Sequence, residues 1–454
     1  MPNTYPLVTR DLSDPIAFLT QPITNLSLTK GPVTTRTFLS HVNAVSTLLQ
    51  QSEQHVINLC NNRYLFLVGF CAAIACGHTN LLPPNKSAQK QLKTTYPNSY
   101  IIHDGVEDDH SINDINLSTL ELENDLTTDI DIPHIANEHL ACISFTSGST
   151  GNSKPNFKYW RTLHESSAIN YHHMITKTNE TLFQLATMPA QHMWGLETSI
   201  LLPLFHGICM SDAQPLFPQD ILDTLKKLPT PTLLVSTPIH LRAITTNNIE
   251  KLHLYGILCA TSPLTKELAA KSESQFSCQL TEIYGCSEVG SMAGRRTAKE
   301  KKWLRFKGIF FESDGINIIA SADHLPKPTV LEDQIESING RHFSLSGRSS
   351  DLVKVAGKRG SLLEINNTLM RFEGLQDGTI FQSDSEGSVD VNRLCAIVSL
   401  HNGFDKHALN IFLRKHLDSA FIPRPIHVVD SLPRELNGKL LKSKVNALLR
   451  SLKG

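Results

Sequence analysis

Residues 140 to 155 read Leu-Ala-Cys-Ile-Ser-Phe-Thr-Ser-Gly-Ser-Thr-Gly-Asn-Ser-Lys-Pro, an apolar run followed by a segment dense in hydroxyl groups and glycine. The apolar part predicts a buried strand, and the polar part predicts a loop that grips phosphate. Glycine lets backbone N–H groups approach an anion closely, hydroxyl groups donate to phosphate oxygens, and lysine adds charge. The residues predicted to bind phosphate are Thr146, Ser147, Gly148, Ser149, Thr150, Gly151 and Lys154.

This loop is not a Walker A motif, which needs Gly-Lys followed by Ser or Thr at the start of a helix. Here Ser153 precedes Lys154 and Pro155 follows it. The competing interpretation is a polar surface turn, because loops rich in serine and glycine are common. The loop by itself favours phosphate binding, in a nucleotide chemistry other than that of the P-loop enzymes.

The bulk composition narrows the class of protein. A chain of 454 residues predicts one large and one small domain. The formal net charge is −1, so neither nucleic acid nor an anionic membrane is an expected partner. Residues 1–21 lack the apolar core of a signal peptide, and the longest apolar run, residues 64–76, is too short to span a bilayer. We therefore expect a cytoplasmic monomer or homodimer.

Nine cysteines are scattered without a paired CxxC set, which predicts reduced thiols rather than disulfides or zinc ligands. Apolar segments that alternate with helical patterns predict an α/β fold with parallel sheets. After residue 306, short alternating segments with Asp-Gly and Asn-Gly turns predict hairpins, and a small α+β unit follows from about residue 349. Strands are predicted at 183–188, 233–236 and 254–260, and helices at 64–76 and 265–272.

Three further motifs follow the phosphate loop. They read Thr-Glu-Ile-Tyr-Gly-Cys-Ser-Glu at 281–288, Ser-Gly-Arg at 346–348 and Pro-Arg-Glu-Leu-Asn-Gly-Lys-Leu-Leu-Lys at 433–442. In this order they resemble the adenylate-forming superfamily of acyl-CoA synthetases, luciferases and peptide-synthetase adenylation domains. The resemblance implies a large N-terminal domain, 1–347, of stacked parallel-rich sheets with helices and a small distorted barrel. It also implies a small, mobile α+β C-terminal domain, 348–454.

In that superfamily a carboxylate attacks the α-phosphorus of ATP, pyrophosphate leaves, and a thiol captures the acyl-adenylate. The resemblance therefore implies ATP and Mg²⁺ as cofactors and a small carboxylic acid as substrate. It also implies CoA or a phosphopantetheinyl carrier protein as the acceptor. The phosphate loop would cradle the β- and γ-phosphates of ATP, although Pro155 stands where most members carry glycine.

The second motif resembles the superfamily's Tyr-Gly-x-Thr-Glu. The resemblance implies that Tyr284 stacks on adenine beside Gly285, and that Ser287 replaces a threonine while keeping its hydroxyl. It implies that Glu288, with Thr146, binds magnesium. Without the other motifs, a core tyrosine and a glutamate that caps a helix would fit the same residues better.

The remaining nucleotide and thiol contacts are also implied by resemblance. Asp333 lies where the superfamily keeps an aspartate for the ribose hydroxyls, with Glu332 and Glu336 as alternatives. Arg348 resembles a residue that reaches the ribose or a phosphate. Gly357 would leave room for a pantetheine arm in the thiol tunnel.

Two segments are assigned to the acid and its activation. Lys439 resembles the lysine that bridges the substrate carboxylate and the α-phosphate during adenylation, delivered by the small domain. His192 lies in the segment where relatives line the acid pocket, although lone histidines are usually structural.

Ala260 and Thr261 stand where relatives have glycines, and Ser350 stands where they usually place a hinge Asp or Lys.

The combined motifs look like a short bacterial subgroup of aryl-acid ligases associated with aryl polyene pathways. They predict an enzyme that activates an aromatic or unsaturated acid as its AMP ester and passes it to a thiol. A medium- or long-chain fatty acyl ligase would share every motif and is the alternative. A second alternative is an adenylate-binding protein that has lost turnover.

Overall fold

A computed structural model describes most of the chain. The described residues are 3–49, 54–83, 88–105, 114–120, 130–146, 154–176, 178–245, 251–314, 317–348, 352–355, 358–382, 393–435, 440 and 442–453.

An eleven-stranded sheet forms the centre of the N-terminal part. Its six strands from β15 to β2 run parallel, and the others pair antiparallel. The carboxyl ends of these six strands therefore lie along one edge, where open parallel sheets bind ligands. In spatial order the strands are β21 (Asp333–Asn339), β22 (His342–Arg348), β17 (Trp303–Arg305), β16 (Gly290–Arg295), β15 (Gln279–Cys286), β14 (Gly256–Cys259), β13 (Thr232–Ser236), β11 (Leu182–Ala186), β12 (Ile208–Ser211), β2 (Pro15–Leu19) and β3 (Gly31–Thr34).

A six-stranded sheet faces the same core. Its strands in order are β10 (Lys154–Tyr159), β9 (Leu140–Thr146), β5 (Thr79–Leu82), β4 (His55–Asn58), β6 (Ser99–His103) and β7 (Ile115–Asn116). Helix α2 (Arg63–Ala75) is buried along almost its whole length, because nearly every side chain in it is apolar. The side chain of Asn62 starts this helix by accepting hydrogen bonds from the N–H groups of Tyr64 and Leu65. The predicted buried helix is confirmed.

Helices and small sheets complete the large domain. The predicted strands at 183–188, 233–236 and 254–260 correspond to β11, β13 and β14, and the predicted helix at 265–272 corresponds to α9. The hairpins predicted after residue 306 include an antiparallel sheet of β18 (Ile309–Ser313), β19 (Ile318–Ala322) and β20 (Thr329–Leu331). The remaining elements are β1 (Thr4–Pro6), β8 (His134–Ala136), α1 (Thr35–Ser46), α3 (Gln89–Thr95), α4 (Trp160–Met174), α5 (Met193–Leu196), α6 (Leu202–Phe205), α7 (Pro218–Lys227), α8 (Pro238–Ile244) and α9 (Lys266–Phe276).

The C-terminal part has a hydrophobic core of its own, which includes Val353, Leu369 and Leu409. The large sheet ends with β22 at Arg348, so the division at 347/348 remains our proposed domain boundary. Arg242 on α8 reaches across it and donates to the carbonyl oxygen of Met370 (3.4 Å). The elements here are β23 (Leu352–Val355), β24 (Lys358–Ser361), α10 (Leu362–Met370), β25 (Leu375–Gln382), β26 (Leu394–Leu400), α11 (Lys406–His416), β27 (Ile426–Val428) and α12 (Lys442–Lys453).

The cysteines and the apolar helices can be located in this fold. All nine cysteines lie within the described residues and none forms a disulfide, as predicted. Among the described helices, none combines the length and the apolar character needed to cross a bilayer.

Candidate active site

Three strands deliver polar and apolar side chains to one edge of the large sheet. Strand β15 leads into Tyr284 and the turn after it, β14 leads into Ala260, and β11 leads into Met188 and the His192 segment. Trp194, Met188, Ala260 and Tyr284 belong to one apolar cluster at this edge. The sheet thus brings the predicted acid segment and the predicted adenine residue together, although they are far apart in sequence.

The predicted ribose and adenine residues are in contact. The hydroxyl of Tyr284 donates to Oδ2 of Asp333 at 3.0 Å. The backbone of Asp333 is paired directly with that of Arg348 across β21 and β22, so both residues assigned to the ribose lie side by side. The ring of Tyr284 is 8% exposed and packs near Trp303 and Phe343. Tyr284 therefore contacts Asp333, the first choice among the acidic candidates.

The phosphate loop joins two paired strands. Thr146 at the end of β9 is opposite Lys154 at the start of β10, and Lys154 is exposed. The residues predicted between them, Ser147 to Gly151, lie outside the described residues, as does the side chain of Thr146. The register nevertheless places both ends of the loop together, with Lys154 at its mouth.

Glu288 lies in a tight turn between β15 and β16, which we call the Glu288 turn (residues 287–289). Cys286 and Gly290 pair across its base, so the alternative in which Glu288 caps a helix is wrong. Glu288 is exposed and Ser287 is partly exposed, while Gly285 pairs with Ser291. The described residues contain no group of three or more His, Cys, Asp or Glu side chains that could hold a metal ion. An exposed carboxylate fits magnesium nonetheless, because this ion keeps waters and binds phosphate oxygens beside one or two carboxylates.

The acid segment is held by backbone contacts. The N–H of His192 donates to the carbonyl oxygen of Pro189 at 3.2 Å, and the carbonyl of His192 accepts from the N–H of Leu196 at 2.8 Å. A β-carbon at Gly195 would overlap the Pro189 carbonyl oxygen, so only glycine lets α5 pack this closely. A π-helical turn, Glu197–Leu201, follows. Such turns interrupt α-helices frequently at functional sites.

A polar trio at this edge was not predicted from the sequence. Oγ1 of Thr187 lies 3.1 Å from Oγ of Ser236 and 2.7 Å from Nδ1 of His240. Burial lowers the pKa of His240 to about 4, so its imidazole is neutral at neutral pH. Thr187 directly follows β11 and Ser236 ends β13, while His240 lies on α8, four residues after β13. The strand-end positions of Thr187 and Ser236 are the signal that could have identified the site.

Two buried charges were missed as well. Lys158 on β10 and Glu197 are each 2% exposed. Lys158 contacts Glu288 in the turn, and Glu197 contacts Ser291 in β16, just after the turn. Besides the phosphate loop, Gly357 and Lys439 also lie outside the described residues, and so does the side chain of Arg348.

The AMP-binding enzyme family matches residues 29–309, well over half of the chain. The chain belongs to this family of AMP-binding enzymes. It is 21% identical over 331 residues to 3,4-dihydroxybenzoate–[aryl-carrier protein] ligase from Bacillus anthracis, covering 70% of this chain and 76% of that one. It is 24% identical over 300 residues to 4-coumarate–CoA ligase from Cereibacter sphaeroides, covering 65% and 69%.

A solved structure agrees with the fold of this AMP-binding enzyme. The o-succinylbenzoate coenzyme A synthetase of Bacillus subtilis, in complex with ATP and magnesium, matches with a TM-score of 0.75 at 15% identity, covering 91% of this chain and 94% of that one. The predicted α/β class is confirmed. With the family assignment, the relatives identify the chain as an AMP-forming acid–thiol ligase. It adenylates an acid with ATP and forms a thioester with CoA or a carrier protein.

The contact between Tyr284 and Asp333 predicts how this AMP-binding enzyme responds to Tyr284→Phe. The ring stays packed, but Asp333 loses a hydrogen-bond donor that would orient it toward the ribose in its proposed role. We expect KM for ATP to rise about three- to tenfold with little change in kcat, as for the loss of one hydrogen bond. Steady-state kinetics with Tyr255→Phe as a control, whose hydroxyl contacts the surface carbonyl of Thr176, tests this. An unchanged KM for ATP would argue against the assignment of Asp333.

Thr261 has a positive φ of 87°, which is unfavourable for a β-branched residue. Thr261→Gly removes this strain and adds some unfolded-state entropy, so we expect a net gain of about 1 kcal/mol in the free energy of unfolding. Denaturant unfolding measures it. Ser262→Gly, which has no positive φ to relieve, should not be stabilised; equal behaviour of the two variants would contradict the strain argument.

Proposed function

We propose that this ligase activates an aromatic carboxylic acid, with a short unsaturated acid as the nearest variant, and transfers it to the thiol of CoA or of a phosphopantetheinyl carrier protein. The observation that carries the proposal is the apolar cluster to which Trp194, Met188, Ala260 and Tyr284 all belong, at the sheet edge that receives the predicted acid segment. A site built beside apolar and aromatic side chains suits an aromatic ring better than a small polar acid.

The relatives support an aromatic substrate. Their names specify 3,4-dihydroxybenzoate and 4-coumarate, both phenolic acids, and one names an aryl-carrier protein while the other names CoA. The neutral imidazole of His240, held by Thr187, offers a hydrogen-bonding group of the kind that a phenolic hydroxyl requires. We therefore place hydroxybenzoic and cinnamic acids first, and we retain the association with aryl polyene pathways as part of the proposal.

The proposed roles follow the order of the reaction. Lys154 and the phosphate loop hold the triphosphate, Tyr284 and Asp333 hold adenosine together with Arg348, and Glu288 binds magnesium with Thr146. His192 contacts the acid, and Lys439 stabilises the charge that develops as the carboxylate attacks the α-phosphorus. Holding these groups in place before the reaction accounts for the rate gain, because the protein contributes position and charge rather than a covalent intermediate. Gly357 would border the path of the thiol.

Acid-dependent ATP–pyrophosphate exchange tests the substrate class without knowledge of the thiol. The panel contains hydroxybenzoic, cinnamic and straight-chain fatty acids, and the best acid is then assayed for transfer to CoA and to a holo-carrier protein. We expect exchange with the aromatic acids. Exchange with fatty acids alone would favour the fatty acyl alternative, and ATP binding without exchange on any acid would favour a protein that has lost turnover.

A further inference from the structure

Two charged side chains that are almost fully buried lie beside the Glu288 turn. Lys158 and Glu197 are each only 2% exposed. Lysine and glutamate are seldom buried to this degree unless they are paired, because an isolated charge loses its hydration. Their contacts therefore need a functional or structural explanation.

Lys158 contacts the turn directly. Its Nζ donates to the backbone carbonyl oxygen of Glu288 at 2.8 Å. Side chains four residues apart on a strand lie on the same face, so Lys158 shares a face of β10 with Lys154 at the mouth of the phosphate loop. One face of β10 thus carries a lysine at the mouth of the loop predicted to bind phosphate and a lysine that contacts the turn predicted to bind magnesium.

Glu197 contacts the start of β16, directly after the turn. Its Oε1 accepts from the N–H of Ser291 at 3.1 Å, and its Oε2 accepts from Oγ of Ser291 at 2.8 Å. Asn170 donates to Oε1 at 3.2 Å. Gly290 has a φ of +94°, and a β-carbon there would overlap Oε1 of Glu197, so the carboxylate lies tightly against the backbone that leaves the turn.

The two charges also depend on each other. Burial lowers the pKa of the Lys158 amine, and Glu197 is the strongest of the groups that oppose this shift. Burial raises the pKa of Glu197, opposed by the hydrogen bonds from Ser291 and Asn170 and then by the charge of Lys158. Loss of either charge would leave the other buried with its hydrogen bonds but without the opposite charge.

We propose that Lys158 and Glu197 are positioning residues for adenylation, which hold the Glu288 turn so that the Glu288 carboxylate meets magnesium and the phosphates of ATP. Neither residue touches the reacting atoms. The proposal rests on the magnesium role proposed for Glu288. Magnesium demands nearly ideal octahedral geometry, so a small displacement of a ligand is costly.

The test measures ATP–pyrophosphate exchange and the melting temperature (Tm) of Lys158→Met, Glu197→Gln and the double variant. Each single variant should lower the Tm by about 5 °C, because one buried charge is left unpaired. Lys158→Met should also raise KM for Mg·ATP about tenfold, because the hydrogen bond to the Glu288 carbonyl is lost. KM for the acid should stay unchanged.

The double variant shows whether the rise in KM for Mg·ATP is independent of the loss of stability. With both charges gone the Tm should recover, because no unpaired charge remains, while KM for Mg·ATP stays high. If a single variant fails to fold, the double variant alone carries this comparison. Arg296→Met is the matched control, since it breaks an ion pair with Glu273 (2.7 Å) at the amino-terminal end of β15. It should lower the Tm and leave KM for Mg·ATP unchanged.

Two results would overturn the positioning role. One is a normal KM for Mg·ATP in both Lys158→Met and the double variant, and the other is an equal rise in Arg296→Met. A Glu288→Gln variant with unchanged magnesium dependence would instead overturn the proposed role of Glu288, which is a separate failure.

Discussion

The Lys439→Ala variant is expected to lose ATP–pyrophosphate exchange by about 10²- to 10³-fold, the usual cost of removing one group that stabilises charge in the transition state. Thioester formation from a supplied acyl-adenylate should be nearly unchanged. The physical reason is that Lys439, carried by the C-terminal domain that we propose to be mobile, would neutralise charge as the carboxylate attacks the α-phosphorus, and would have no role once pyrophosphate has left. Parallel assays of the two half-reactions measure this difference.

A nearby lysine provides the control for this experiment. Lys444 on α12 is 45% exposed and pairs with Glu435, so Lys444→Ala should leave both half-reactions unchanged. Equal losses in both half-reactions of Lys439→Ala would contradict the proposed division of labour, since they would indicate a general loss of the small domain.

Glu288→Gln is expected to lower the rate of exchange by about 10²-fold and to raise the magnesium concentration needed for half-maximal activity. Glutamine keeps the size of the side chain but removes the negative charge that attracts the ion. Titration of exchange activity with magnesium at fixed ATP measures both effects. The control is Glu312→Gln, an exposed glutamate on β18. Full activity at the ordinary magnesium concentration would show that Glu288 does not bind the ion.

Local patterns in the sequence predicted much of the fold. The apolar runs that became β11, β13 and β14 were visible because a buried parallel strand needs an uninterrupted apolar segment. The adenine and ribose roles were assigned through ordered motifs and remain predictions; the contact between Tyr284 and Asp333 is compatible with them.

The rest of the site depends on contacts between distant elements. Lys158 looks like an ordinary surface lysine in a strand with exposed neighbours, and only its packing against the Glu288 turn reveals its burial. Glu197 is likewise the last residue of the predicted acid segment, and nothing in that segment indicates its contact with Ser291. The helix-cap alternative for Glu288 failed for the same reason, because the pairing of β15 with β16 cannot be derived from the residues of the turn alone.

The close approach at Gly195 and Gly290 limits how this enzyme can be redesigned. Both positions face atoms that leave no space for a side chain, namely the Pro189 carbonyl and the Glu197 carboxylate. Libraries intended to change the accepted acid should therefore leave these two glycines fixed and vary side chains beyond the strand ends, such as Ala260 after β14 and His240 on α8. The range of accepted acids can therefore be altered through side chains at this edge of the sheet, while the closely packed backbone at the two glycines has to be kept.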